Sequence, residues 1–207
     1  MKRIASLLTL IFGAFCMMAQ TPGEIVSRME EVMGSHQSEG VYMTVDVRVP
    51  LLGTISTRTW MRDDRVRLEA KMMGIQEITW MTDTTEWSYN TGKNEVEIKS
   101  VPAGTGSSSD ADISMFSELT ASYDFAIQKE TPDAWQIRCT RRKGVEDKDS
   151  PKNMTLIVSK ASFLPLSLSF KTSGVNVTMH DIAFGVSLSQ VTFNPADYPE
   201  ATVIDKR

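Results

Sequence analysis

From Val41 onward apolar and polar residues alternate. Val41, Met43, Val45 and Val47 interleave with Tyr42, Thr44, Asp46 and Arg48. Val66, Leu68, Ala70 and Met72 interleave with Arg65, Arg67, Glu69 and Lys71. The same period runs through Trp87 and Tyr89, Val96 and Ile98, Trp135, Ile137 and Cys139, then Met154, Leu156 and Val158. It continues through Leu164, Leu166, Leu168 and Phe170, through Val175, Val177 and Met179, and through Ile182, Phe184, Val186 and Leu188. A period of two predicts strands with one apolar and one polar face. Turn formers separate the runs: Gly53, Asp63-Asp64, Gly74, Asp83, Asn90-Thr-Gly92, Gly144, Ser173-Gly174 and Asp181. The pattern predicts a mainly β chain of consecutive antiparallel hairpins, about ten or eleven strands in all. No βαβ rhythm is present, which argues against a parallel sheet.

Two segments depart from this period. Ile25, Val26, Met29, Val32 and Met33 recur at helical spacing, with Glu24, Arg28, Glu30 and Glu31 between them. Thr21 suits the cap, Pro22 the first turn and Gly34 the stop, so a helix is predicted over Pro22 to Met33. Glu30-Glu31 reads as its solvated face. Residues 103–109 are Gly- and Ser-rich; Asp110 can cap a second, short apolar helix carrying Ile113, Met115, Phe116 and Leu119. That arrangement suits a movable flap, and equally an ordinary loop before a packed helix.

A sheet of this size has one apolar face to cover, and two short helices cover little. A curled sheet could therefore enclose an apolar cavity. The candidate lining residues are Met29, Met33, Val66, Leu68, Trp80, Trp87, Tyr89, Met115, Phe116 and Leu119. Methionine is flexible and polarizable and accepts apolar guests of varied shape, although it also fills irregular core gaps.

Composition narrows the classes. At 207 residues the chain is one domain or slightly more, and a net charge of −4 argues against a nucleic-acid binder. Two His and two Cys are too few for a zinc finger or a disulfide scaffold. Lys2 and Arg3 precede an uncharged, mostly apolar run ending at Ala19, the layout of a secretory signal peptide over residues 1–19. The run is about 16 residues, short of the roughly 20 a membrane span needs. Lipidation at Cys16 is disfavoured by the bulky Phe15 before it. The mature chain, residues 20–207, then reads as one domain. Its single thiol, Cys139, shares an apolar face with Trp135 and Ile137 and reads as a buried structural residue.

Little points to catalysis. His36 lies in a polar linker, and His180 on a strand opposite the apolar face, with no nucleophile motif near either. Gly104-Thr-Gly106 lacks the Lys-Ser/Thr of a phosphate loop. The expectation is a non-enzyme with no cofactor and no metal.

An ordered set of motifs resembles the periplasmic outer-membrane lipoprotein carriers, the LolA-like family. Thr59-Trp-Met-Arg62-Asp-Asp-Arg65-Val-Arg67-Leu68 is similar to that family's strand, basic turn and following strand. Trp80-Met-Thr-Asp83-Thr-Thr-Glu-Trp87-Ser-Tyr89-Asn90 is similar to its Trp-containing hairpin, with Asp83-Thr where the family has Asp-Gly. Ile113-Ser-Met-Phe116-Ser-Glu-Leu119, then Tyr123-Asp-Phe125, stands in the place of its internal helix and next strand. Val191-Thr-Phe193-Asn-Pro195 and Val203-Ile-Asp205-Lys-Arg207 are similar to its ending. The resemblance implies an incomplete antiparallel β-barrel with a helical lid over an apolar cavity. It implies a monomeric periplasmic carrier that takes acylated lipoproteins from an inner-membrane ABC-type release complex to an outer-membrane acceptor. It also implies a lid latch, for which Arg62 is the nearest candidate because Asp63 occupies the family's Arg position. Two other readings remain: a related lipoprotein sensor, and a carrier for another lipid or apolar molecule.

Overall fold

The computed structural model describes residues 20–51, 53–102, 116, 119–145 and 150–207. The signal-peptide segment 1–19, the Gly/Ser-rich loop 103–109 and Met115 lie outside these residues.

Helix α1 spans Pro22–Ser35. The Thr21 hydroxyl accepts from the Glu24 amide at 3.3 Å, while the Glu24 carboxylate accepts from the Thr21 amide at 2.8 Å. This reciprocal capping box satisfies two otherwise orphaned amide donors. Ile25, Val26, Met29 and Met33 are buried, as their spacing predicts. A second helix, α2, covers Leu119–Ser122.

Twelve strands follow among the described residues: β1 Val41–Val49, β2 Gly53–Arg62, β3 Arg65–Met72, β4 Ile75–Met81, β5 Thr85–Asn90, β6 Glu95–Ser100, β7 Tyr123–Glu130, β8 Ala134–Arg141, β9 Asn153–Ser159, β10 Pro165–Thr172, β11 Val175–Phe184 and β12 Thr202–Asp205. They form one sheet in the order β12-β6-β5-β4-β3-β2-β1-β11-β10-β9-β8-β7. The ends of the order do not pair, so the sheet is an unclosed barrel curled about α1. All pairs are antiparallel except β12 on β6. That parallel strand was not expected, because Thr202–Asp205 is short and alternates weakly.

Asp181 does not end a strand. It sits inside β11 with φ +55°, at a bulge where the register against β1 shifts between Tyr42 and Thr44. A left-handed backbone looks like a turn signal in sequence, whereas here it only re-aims the strand. Gly40, just before β1, is constrained more tightly. Its φ is +72°, and a Cβ there would stand 2.7 Å from the Met61 carbonyl oxygen. Only glycine fits that approach.

Register decides which side chains share a face, since directly opposed residues of an antiparallel pair point the same way. Val41, Met61, Val66 and Met81 form one row across β1–β4 on the α1 face, and Glu86 and Lys99 continue it on β5 and β6. Tyr42, Trp60, Arg67, Trp80, Trp87 and Ile98 form the next row, on the opposite face. The apolar side of the sheet therefore changes over at β4. Up to β3 it faces α1; from β4 to β6 it faces away, under the C-terminal segment. A single apolar face running the whole length, as the alternation suggested, is corrected by this switch.

Candidate apolar binding face

One buried cluster holds the α1 face together. It joins Met29 and Met33 of α1 to Met43, Met61 and Val66 on one flank, and to Ile137, Cys139 and Leu156 on the other. Phe116 and Leu119 are buried in the same cluster. Glu30 ties the two helices. Its carboxylate accepts from the Thr120 amide at 2.9 Å and from the Thr120 hydroxyl at 2.6 Å. The acidic side chain read as solvated is thus the link between α1 and the first turn of α2.

The cluster does not cover the whole face. Toward the β1–β2, β3–β4 and β10–β11 hairpin tips, Ile55, Val47, Val177 and Phe170 form a continuous row across four strands, and all four are only half-buried. Val45, one row closer to α1, and Leu68, two rows closer, are half-buried as well. An apolar stripe about four strands wide, roughly 15 Å at the usual strand spacing, is left partly open between the helix and the rim. On the rim itself Leu51 and Met73 are fully exposed and Met72 is more than half exposed.

The expected lining residues divide. Met29, Met33, Val66, Leu68, Phe116 and Leu119 lie on the α1 face, and Met115 lies outside the described residues. Trp80, Trp87 and Tyr89 lie on the other face. Trp80 meets Phe193 edge-on at 5.3 Å and Tyr198 at 5.6 Å, Trp87 stacks on Phe193 at 5.8 Å, and Tyr89 meets Tyr198 at 4.4 Å. These three aromatics anchor the C-terminal segment and do not line a cavity under α1. Arg62, the latch candidate, closes β2. Its Nη1 donates to the Val186 carbonyl at 2.6 Å, so it fastens the start of the C-terminal segment to the end of β2. Among the described residues its side-chain hydrogen bond goes to the C-terminal segment, and it is Glu30 that links the two helices.

Val45, Val47, Phe170 and Val177 were visible in the alternating runs, but their position on the open part of the face was not. That depends on how far a 14-residue helix reaches along the strands.

Reactive groups near the face are quiet. Burial pushes the Cys139 thiol up to about 12. The side chain stays protonated at neutral pH and is a poor nucleophile. We expect a maleimide reagent to leave Cys139 unlabelled in the folded protein at pH 7.5 and to label it fully in denaturant, read by mass spectrometry. Rapid labelling in the native state would contradict this packing. On the opposite face His180 is held by carboxylates on both ring nitrogens, Asp46 at 3.2 Å and Asp181 at 3.0 Å. Neither nitrogen is free to activate a hydroxyl or a thiol. Among the described residues no group of three or more His, Cys, Asp or Glu side chains is placed to hold a metal ion. No described helix is long and apolar enough to cross a membrane.

No family model matches the chain, and no curated protein does. Among solved structures the chain is similar to an uncharacterized conserved protein from Thermus thermophilus, at 18% identity over 90% of this chain and 100% of that one, with a TM-score of 0.47. It is similar to a LolA superfamily protein from Nitrosomonas europaea, at 10% identity over 86% of this chain and 100% of that one, with a TM-score of 0.34. It is also similar to the Pseudomonas aeruginosa MucA/MucB complex structure, at 14% identity over 84% of this chain and 61% of that one, with a TM-score of 0.42.

Proposed function

We propose that this protein is a periplasmic carrier. It holds the acyl chains of a lipoprotein against the open part of the α1 face and moves them from an inner-membrane ABC-type release complex to an outer-membrane acceptor, with no covalent step. The observation that carries the reading is the half-buried row Ile55, Val47, Val177 and Phe170, continuous with the buried cluster under α1. The order of motifs shared with the lipoprotein carriers points the same way.

The energetics fit such a task. Each buried CH₂ contributes about 0.8 kcal/mol, so a chain of about 16 carbons loses on the order of 12 kcal/mol when left in water. A carrier must recover most of that and still let go. A face finished on one side by α1 and left partly open on the other does both, because the guest completes a core that the chain itself leaves incomplete.

Purified mature protein should bind a fluorescent acyl probe, and mass spectrometry should recover an acylated peptide bound to protein isolated from the periplasm. A free lipid or pigment in its place would move the reading to a carrier for another apolar ligand. Failure of the probe to bind would end both.

The rim offers a second test. Leu51 has φ +68° and Met73 φ +52°, left-handed positions where a bulky apolar residue is strained and Asn is tolerated. Both side chains project into solvent at the end of the sheet where the apolar row opens. Their exposure costs the folded chain and makes sense if they meet an apolar surface during hand-over. The double variant Leu51→Asn/Met73→Asn should melt at an equal or higher temperature than the parent. It should bind the acyl probe normally and deliver it to lipid vesicles several-fold more slowly in a stopped-flow assay. Unchanged transfer would remove the rim from the mechanism.

A further inference from the structure

Strands β8–β11 carry a groove of about 310 Å³ whose polar side chains lie on the face turned away from α1, while Met154, Phe170 and Val177, which belong by register to the α1 face, complete its lining. Its floor is a row of hydroxyls: Thr155, Ser169 and Thr178 are direct cross-strand neighbours, and Ser169 and Thr178 share a hydrogen bond of 3.1 Å. Asn153 and Asn176 add amides along one side. Arg138 extends the hydroxyl row beyond Thr155, and Lys171 stands opposite Asn176 in the parallel row. Arg48 continues that second row on β1.

Positive charge gathers along this groove. The chain has more acidic than basic residues, 26 against 22. Among the described residues, Arg58, Arg62, Arg65, Arg67 and Lys99 of β2, β3 and β6 have carboxylates within 4 Å, whereas Arg138, Lys171 and Arg48, like Lys71, have none. The acid nearest in register is Asp46, opposite Thr178, and its carboxylate is already met by His180 at 3.2 Å. Cations thus flank a floor whose groups both donate and accept hydrogen bonds.

That combination fits one ligand chemistry. A guanidinium and an ammonium suit a phosphate, the first through paired N–H groups and the second as a point charge. Hydroxyls and carboxamides suit the mixed donor and acceptor pattern of ring hydroxyls. The volume suits one ring with one phosphate. A nucleic acid would want a longer basic track, and Phe170, the aromatic residue along the groove, belongs by register to the α1 face and offers no stacking platform here.

We propose that this groove binds a phosphorylated sugar or polyol, with Arg138 and Lys171 on the phosphate and Thr155, Ser169 and Thr178 on the ring hydroxyls. The site is independent of what the α1 face carries. The same chemistry can arrive as a free molecule or as a lipid headgroup, so the test has two arms. In the first, inositol 1-phosphate, inositol and inorganic phosphate are titrated calorimetrically into the full mature chain at low salt. In the second, the protein is floated with vesicles of phosphatidylcholine containing or lacking phosphatidylinositol.

Inositol 1-phosphate should bind at least tenfold more tightly than inositol or phosphate. Arg138→Gln/Lys171→Gln should weaken it at least tenfold, and Ser169→Ala several-fold. Lys71→Gln, the loss of one charge on a distant hairpin, should change nothing. All four positions are on the sheet surface, and unchanged melting will show that the variants fold. Binding in the first arm assigns a free ligand; flotation only with phosphatidylinositol, lost in the double variant, assigns a headgroup. Equal affinity for phosphate and inositol 1-phosphate, the same loss in Lys71→Gln, or no binding in either arm would overturn the proposal.

Discussion

Leu68→Glu is expected to lower affinity for a fluorescent acyl probe by at least tenfold, while Trp87→Glu leaves that affinity unchanged. Leu68 lies on the α1 face, opposite Thr59 and Thr79, half-buried at the boundary between the finished cluster and the open apolar row. A carboxylate there stays hydrated at the edge, so the fold survives. A guest lying over it, however, must strip that water, and burying a charge without a partner costs more than the 1.4 kcal/mol that equals a factor of ten. Trp87 is on the other face, stacked on Phe193 at 5.8 Å. A carboxylate at that site should loosen the C-terminal segment, with quicker amide exchange in residues 191–205 and no change in the probe. The pair separates two accounts that the sequence leaves equal, because both residues occur in alternating apolar runs and both were candidates for one cavity. Equal loss of probe in both variants would mean that the guest does not sit on the α1 face.

That contrast also marks what alternation can and cannot say. A period of two identifies a strand and divides its side chains into two sets, but it does not say which set faces the core. For β1, β3 and β8–β11 the apolar set is the inward one, and Val41, Met43, Ile137, Leu156 and Leu168 are buried as the pattern implied. For β4 and β5 the apolar set is outward. What decides this is the partner: Trp80 is opposite Arg67 and Trp87, so it shares their face, and Phe193 and Tyr198 arrive from more than a hundred residues away to cover it. No local signal carries that fact. The α1 helix was legible because cap, first-turn proline, spacing and stop all agree within 14 residues. Glu30 was not, since a carboxylate on the polar flank of a helix looks solvated until Thr120 is placed beside it. The open row was half legible: its members were named by their period, and its openness depends on how far α1 extends over the strands.

Glu69→Ala is expected to destabilise the fold by about 2–4 kcal/mol, and Arg58→Ala by no more than about 1 kcal/mol, although the two residues form one ion pair. Glu69 belongs to the outward, charged set of β3, where alternation alone would leave it in water. It is instead 8% exposed. Its carboxylate accepts from Arg58 Nη2 at 2.5 Å and from Gln76 Nε2 at 3.3 Å, and Arg67 meets its other oxygen. Arg67 in turn lies 5.0 Å from the centre of the Trp60 ring and 5.5 Å from that of Trp80, beneath the C-terminal segment. The Arg58 side chain is 53% exposed, so water replaces its share of the pair when it is removed. Arg67 is 24% exposed and held between two indoles, so removing Glu69 leaves a cation that solvent reaches poorly. The asymmetry therefore follows from burial and not from the number of contacts. In a domain of this size each kcal/mol moves the melting midpoint by roughly 2–4 °C, which places Glu69→Ala well below Arg58→Ala on the same thermal scan. Glu69→Ala/Arg67→Met should recover part of the loss, because the stranded charge goes with its partner and an apolar side chain takes its place between the rings. If the two single variants melt together, the Glu69 carboxylate is in effect hydrated, and the C-terminal segment does not seal this face of the sheet.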